Sequence, residues 1–563
     1  MGLSVRIIDR KQTRSVHDSR AVVVHPRVME LLEPIRNGNL TSEIQKTAFQ
    51  LKGVFAYMPK WFEWLPGCGR DNTVDIKGEG EDKRETNSKG MNDDPPVHLD
   101  LSNVKWGDTE YPNLYFLPQY DTEHILEEGL ASEGETVDYG NALDDLVQEN
   151  GVVTTTIRNV DTDTTESVIS RWVLGADGGR SKTRDLLGYQ MDRHKSGIYF
   201  VIADVVFKGD NIPLASHAPG KGGHIFFPSI PMAFLPLPGE NAYRLAGQAP
   251  PGITSKEDVA LDETFFRDFL LERTGKEFDV ELGPWQTIFE ITHGSTNSYR
   301  KDNVMLAGDA SHVHSPIGGQ GMNLGMQDVT NLLWKLAWSK RILRASSSEE
   351  DYVEAKQVVD VILGTYHSER HALGQEMVQS IGLATKMLAI KHPLIEFFRN
   401  ELLRFVLPSN TAKQNFRKMG QLDLAYAPSS SSLLFENTSW TAHYICSPGQ
   451  RLPNIRLEDG SHLHSHIDRV KHTWVILNYD SDNDSDKAEA PLKFSSKAKI
   501  VCAMASGFEN QVSVPAISEK AYAASQVLLV RPDQFVAGVG ASTEALMDEL
   551  KRAGMTETAL ATM

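Results

Sequence analysis

Residues 304–337 narrow the possible folds more than any other stretch of the chain. Val304-Met305-Leu306-Ala307-Gly308-Asp309 is an apolar run closed by glycine and an acid; Gly318-Gly319-Gln320-Gly321-Met322-Asn323 follows, then Val329, Leu332, Leu333, Leu336 and Ala337 at helical spacing. Strand, glycine-rich loop and long amphipathic helix, in that order, belong to an open α/β sheet, whose ligands sit beyond the carboxyl ends of the strands. Val173-Leu174-Gly175-Ala176-Asp177-Gly178-Gly179 repeats the strand-then-acid arrangement. The chain also opens on one, Val5-Arg6-Ile7-Ile8-Asp9, the pattern of a buried parallel strand. Asp9 either caps that strand or contacts a nucleotide ribose; the residues alone leave both readings open.

At 563 residues the chain predicts roughly three to four domains. A formal charge of −18 without a basic stripe argues against nucleic acid as a partner. No apolar run reaches the roughly 18 residues of a membrane span, and no signal core follows the N-terminus. Cys68, Cys446 and Cys502 are too dispersed for a CxxC pair or a zinc knuckle, so a reducing, cytoplasmic setting is expected. His312 and His314 read as packed or hydrogen-bonded side chains, and no metal is expected. Residues 69–96 turn to Gly, Asp, Glu, Lys and Asn, the composition of a solvated loop insertion; 478–490 is a shorter one. The runs at 198–207 and 224–227, broken by Gly and Pro, predict an inserted sheet. The expected division is therefore 1–190, first part of an α/β domain; 191–295, inserted sheet; 296–430, second part with a helical region; and 431–563, a separate C-terminal domain.

Taken in order, these segments resemble the FAD-dependent aromatic hydroxylases, the phenol hydroxylase-like flavin monooxygenases. The resemblance is carried by Gly308-Asp309-Ala310-Ser311-His312 through Pro316 to Asn323, by Leu117-Pro118-Gln119 leading into Glu123-His124, by Asp177-Gly178-Gly179 with Ser181-Lys182-Thr183-Arg184, and by Ser19-Arg20-Ala21 with His25-Pro26-Arg27. It implies a Rossmann-like FAD-binding domain of the p-hydroxybenzoate hydroxylase (PHBH) type, an inserted β-sheet substrate domain, and a C-terminal thioredoxin-like domain. The last rests on Ser447-Pro448-Gly449-Gln450-Arg451 and Leu529-Val530-Arg531-Pro532-Asp533. That domain has no CxxC after the strand ending near Leu477, so a packing or homodimer role is expected of it.

The same resemblance assigns FAD as cofactor, with Asp9, Arg20, Gln119, Asp177, Asp309, Gly318, Gly319, Gly321, Met322 and Asn323 binding it and Pro316 near flavin N5 as the catalytic position. An Asp309 carboxylate suits ribityl hydroxyls, and the glycines let backbone approach a flat ring. A helix starting near Gly321 would aim unpaired amides, worth about half a positive charge, at the edge where reduced flavin is negative. No GxGxxG occurs in the sequence, so NADPH or NADH is expected as a transient reductant. With O2 a C4a-hydroperoxyflavin then forms and passes one oxygen to a small phenolic or polyketide-like aromatic substrate. His217, His224 and Tyr199 are candidates for a base, each read first as structural. Two alternatives stand: a related flavoprotein oxidase or epoxidase, and a truncated, silent paralogue acting through its C-terminal domain. Because a ribose acid already stands at position 9, the first strand and GxGxxG turn that normally precede it are missing, and a form extended upstream is expected to bind FAD better.

Overall fold

A computed structural model describes residues 2–14, 20–57, 97–101, 106, 108–209, 222–226, 232–315, 317–388, 393–409, 416–427, 431, 433–434, 447–454, 462–464, 475–479, 498–502, 511–514, 526–540 and 543–561. The 69–96 insertion, Cys68, Cys446, His217, Pro316 and most of 478–490 lie outside the described residues.

The two strand-then-acid units are neighbours in one sheet. Val173–Gly175 and Val304–Leu306 pair in parallel, Gly175 opposite Leu306, so Asp177 and Asp309 follow from the same sheet end. Val304, Met305 and Leu306 are fully buried, as expected of a parallel strand covered on both faces. Ile7–Asp9 forms a parallel pair with Val137–Tyr139 in a second sheet. After the Asp309 loop comes the Gln320–Ala345 helix, which packs Leu332, Leu336 and the stacked pair Trp334 and Trp338 against the Glu349–Leu388 helix.

An eight-stranded sheet runs in the order His312–Val313, Asp279–Thr296, Met191–Lys208, Ala242–Gln248, Met232–Pro236, Gly223–Phe226, Gly53–Tyr57, Val97–Asp100. The sheet expected within 191–295 is present but larger, since strands from both sides of that span join its edges. Gly53–Tyr57 enters by a parallel pairing with Gly223–Phe226, a contact between distant segments that no local pattern announces. Strand alternation divides the faces. Val201, Ala203, Val205, Phe226, Phe234 and Leu245 share one face, packed on Phe266, Phe269 and Leu270 of the Glu263–Thr274 helix. The opposite face carries Asp204, Arg244 and Trp285.

In the C-terminal region the strand order is Gln511–Val514, Ala498–Cys502, Val475–Tyr479, Gln526–Val530, Val536–Gly540, and every pairing is antiparallel. The parallel crossover expected of a thioredoxin-like unit is therefore not among the described residues. Nor does packing break at 431: Leu433, Leu529, Ala537, Leu546 and Leu550 share one core cluster with Leu332, Trp334 and Ile362. Among the described residues no helix is long and apolar enough to cross a membrane.

Candidate active site

The Gly308–Asp309 loop is held from behind and open in front. Gly308 adopts φ +58°, and a side chain at Gly325 would come within 3.2 Å of its Cα, so the loop lies directly on the following helix. Gly308 N donates to Asp328 Oδ2 at 2.9 Å. The same oxygen faces His312 Nε2 at 2.9 Å, and Arg370 Nε donates to Asp328 Oδ1 at 2.7 Å. Asp328, His312 and Arg370 are all buried. The Asp309 side chain instead opens to solvent. Crowding by protein atoms raises its carboxyl above the ordinary aspartate range, and neighbouring His312, Arg20 and Arg193 oppose that rise.

Gly318 and Gly319 take φ +79° and +63°, and a Cβ on Gly319 would meet Val23 at 3.1 Å. The helix then begins at Gln320 without a side-chain cap, leaving its first amides available. Asn323 Oδ1 accepts from His25 N, and its Nδ2 donates to Val23 O and Gly319 O, each at 2.8 Å. Its amide is thus spent on backbone, stapling the Val23–Val24 strand to the start of the helix. The His25 ring donates from Nε2 to Gly318 O at 3.2 Å, and burial lowers its pKa to about 3, which keeps it neutral. Met322 packs against the cluster of Val24 and Val28. Gly321 sits beside the His314 ring, with room for ordinary contact only.

Gln119 opens the Gln119–Ser132 helix and pairs with Ala21 twice: its N donates to Ala21 O at 3.1 Å, and its Oε1 accepts from Ala21 N at 3.2 Å. From the sheet side, Arg244 Nη1 donates to Arg20 O at 3.3 Å and Ala21 O at 3.0 Å while its guanidinium pairs with buried Asp204 at 2.6 and 2.9 Å. Residues 20–21 are therefore clamped between Gln119 and the sheet. The exposed Arg20 guanidinium lies over Phe289, 6.0 Å from the ring centroid.

Asp177 is differently placed. Its Oδ1 accepts from Ser181 Oγ at 2.5 Å, and its Oδ2 from Thr183 N and Oγ1 at 2.9 and 3.0 Å. Arg184 ties this loop to the other one, donating to Gly179 O at 2.9 Å and Ala310 O at 3.1 Å. Asp9 ends a strand of another sheet and accepts from Lys11 N at 2.9 Å. The structure thus gathers Arg20, Gln119, Asp309, Gly318, Gly319, Gly321, Met322 and Asn323 around segment 20–25. Asp177 is joined through Arg184.

Of the base candidates, His224 is packed among Phe55, Tyr57 and Tyr243 on the helix-covered side, accepts from Tyr57 Oη at 3.0 Å, and is pushed by burial to a pKa of about 3. Tyr199 packs against the same cluster. Asp328, Arg370, Asp204 and Arg244 went unread in the sequence, where charged residues inside apolar runs look solvated; their signal was a charge placed on an otherwise apolar face. His312 is bonded to Asp328, and His314 Nδ1 donates to Ser315 O at 3.0 Å. Among the described residues no group of three or more His, Cys, Asp or Glu could hold a metal ion.

An open carboxylate after a buried strand, two left-handed glycines and an uncapped helix start make a cofactor cradle of the α/β type. The family described as FAD binding domain matches residues 1–381; the chain belongs to it and is an FAD-dependent monooxygenase. It is 27% identical over 451 residues to 6-methylpretetramide 4-monooxygenase of Streptomyces rimosus, covering 77% of this chain and 74% of that protein. It is 29% identical over 326 residues to rifampicin monooxygenase of Streptomyces venezuelae, covering 57% and 62%. In fold it is similar to the OxyS anhydrotetracycline hydroxylase from Streptomyces rimosus, with a TM-score of 0.64 at 24% identity over 97% of this chain and 93% of that one. The flavin-dependent monooxygenase PieE gives a TM-score of 0.67 at 17% identity, covering 97% and 94%.

Proposed function

We propose that this enzyme hydroxylates a phenolic or polyketide-like aromatic ring, with NADPH or NADH as a visiting reductant and O2 as the oxygen source. The observation that carries the reading is Asp309: a carboxylate left open to solvent while the loop beneath it is fixed by Asp328. The residues present fit FAD. Asp309 would accept hydrogen bonds from ribityl hydroxyls, Gly318 and Gly319 would present bare backbone to the ring, and the first amides of the Gln320–Ala345 helix would face its negative edge. Arg20 neighbours Asp309 and Gln119 fixes the adjoining Ala21, Met322 and Asn323 hold the helix start in register, and Gly321 keeps it slim. Asp177 holds its own loop, which Arg184 ties to the Asp309 loop; Asp9 is assigned to the margin of the same cofactor, and Pro316, outside the described residues, keeps the catalytic role the resemblance implies.

When bound, FAD supplies the redox and oxygen chemistry. The chain supplies orientation and a wall: the sheet face carries Phe289 and Trp285 beside the buried Asp204–Arg244 pair, and Arg20 sits between Phe289 and Asp309. The substrate class rests on the relatives, whose names include 6-methylpretetramide, rifampicin and pentachlorophenol. The C-terminal region is assigned packing and a homodimer contact, and the enzyme to the cytoplasm. The test is a panel of phenols and polyketide aromatics incubated with FAD-loaded protein, NADPH and isotopically labelled O2. One labelled oxygen in a hydroxylated product is expected; reductant consumption with no labelled product from any aromatic would overturn the substrate assignment.

A further inference from the structure

The C-terminal hairpin sends two buried polar routes into the cofactor loops. Its turn at 531–535 is tight, with Gln534 at φ +64°, Gln534 N donating to Arg531 O at 2.9 Å, and Arg531 N donating to Phe535 O at 2.8 Å. Arg531 donates to both oxygens of Glu369 at 2.8 and 2.9 Å and to Asp533 at 3.0 and 2.6 Å. Asn331 Nδ2 lies between, donating to Glu369 at 2.7 Å, Asp533 at 3.4 Å and Tyr426 Oη at 3.2 Å. Tyr426 Oη in turn accepts from Arg370 Nη1 at 3.2 Å, and Arg370 holds Asp328, whose other oxygen holds Gly308 N. Every side chain on this route is buried.

The second route leaves the same turn. Arg27 donates to Asp533 O at 2.6 Å and Gln534 Oε1 at 2.7 Å. Two residues earlier in the chain, His25 holds Gly318 O. One hairpin thus reaches the Gly308 loop by one route and the Gly318 loop by the other.

We infer that the hairpin at 531–535 positions the FAD-holding loops, through Asp328 and Arg370 to Gly308 and through Arg27 to the His25–Gly318 contact. Besides packing, the C-terminal region then supports the cofactor site through this hairpin. The physical ground is that buried polar groups must be paired, so a network of this kind admits few alternative arrangements and transmits a misplacement at one end to the other. Asp328, Arg370, Tyr426 and Arg531 are positioning residues on this account, since each acts through another group. The inference rests on the assignment of Asp309 and Gly318–Gly319 to FAD.

The experiment uses full-length protein and the conservative variants Tyr426→Phe and Asp533→Asn. Two quantities are read: the Kd of FAD, and amide hydrogen exchange at Gly308 relative to Leu306, whose N donates to Tyr299 O. Tyr426→Phe removes one bridging hydroxyl and little else; Asp533→Asn keeps the shape and removes a charge. Both are expected to raise the Kd and the Gly308-to-Leu306 exchange ratio roughly three- to thirtyfold. Lys551→Ala, at an exposed pair on the C-terminal helix, is expected to change neither. Unchanged Kd and ratio in both variants would overturn the inference. So would a raised Kd with Gly308 and Leu306 exchanging equally faster, because that is general loosening. Asp309→Ala is titrated alongside: an unaltered FAD Kd there defeats the cofactor assignment, whereas the exchange ratio reports on the coupling regardless.

Discussion

Asp177 and Asp309 close adjacent parallel strands with nearly the same local sequence, and the structure uses them in opposite ways. Asp177 turns both oxygens inward, onto Ser181 and Thr183 at the start of its own short helix. Asp309 keeps its carboxylate free because another acid, Asp328, does the holding from a neighbouring helix. An acid at a strand end can organise its own loop or serve a ligand, and what frees it for a ligand is a substitute holder elsewhere. That substitute lies 19 residues beyond Asp309, on the Gln320–Ala345 helix.

The largest expected effect comes from removing the substitute. Asp328→Ala leaves Arg370 buried without its carboxylate, and breaking a buried pair in this way should cost about 3–5 kcal/mol in denaturant unfolding. A loss below about 1 kcal/mol would show that the Gly308 loop is held by something else. Gly319→Ala comes next. At φ +63° with Val23 at 3.1 Å, an alanine should cost about 1–2 kcal/mol, and the shifted loop should also weaken FAD binding. Asp177→Ala should cost about 1 kcal/mol, the size of a lost helix cap, since its acceptors serve the Lys182–Leu186 helix. Denaturation curves for the three variants rank them; Asp177→Ala at the level of Asp328→Ala would erase the contrast.

The smallest effect is in pH. The Asp309 carboxyl is raised by the protein atoms crowded around it, and it must be ionised to accept ligand hydrogen bonds without a competing proton. FAD affinity should therefore be full when pH is well above the carboxylate range and fall as pH drops through the raised Asp309 pKa, starting earlier than an ordinary aspartate would allow. Asp309→Asn should flatten that dependence. An identical pH profile in the variant would assign the titration to another group.

Legibility in the sequence followed locality. Val304 to Ala337 was readable because strand, glycine turn and helix periodicity are all encoded within a few residues of one another, and the glycines with positive φ were among those singled out. Asn323 was readable as a candidate site residue, but not that its amide would be consumed by Val23, His25 and Gly319, because the strand it staples is about 300 residues away. The row Gln320, Asn323, Gln327, Asn331, Lys335 and Ser339 has the spacing of a solvated helix face, yet every member is buried. Its partners, Gln421, Glu369 and, further on, Arg531 and Asp533, come from segments that no periodicity ties to this helix. Glu369 shows the outcome electrostatically: burial alone would raise its carboxyl, but Arg531 and Lys335 hold it well below the usual range. Depressed in the folded state, it adds stability that is fully present above the ordinary glutamate range and is lost as pH falls from there through the depressed folded-state pKa.

FAD titration of Asp309→Ala and Asp177→Ala side by side, each compared with the unaltered protein at equal folded fraction, tests the central claim most directly. Loss of a charge-assisted hydrogen bond to a ligand is worth about 1.5–3 kcal/mol, so Asp309→Ala should bind FAD roughly ten- to hundredfold more weakly. Asp177→Ala should stay within about threefold, a change of less than about 1 kcal/mol. Equal losses in the two variants, or retention of FAD by Asp309→Ala, would contradict the reading that one strand-end acid is kept open for the cofactor while its neighbour is not.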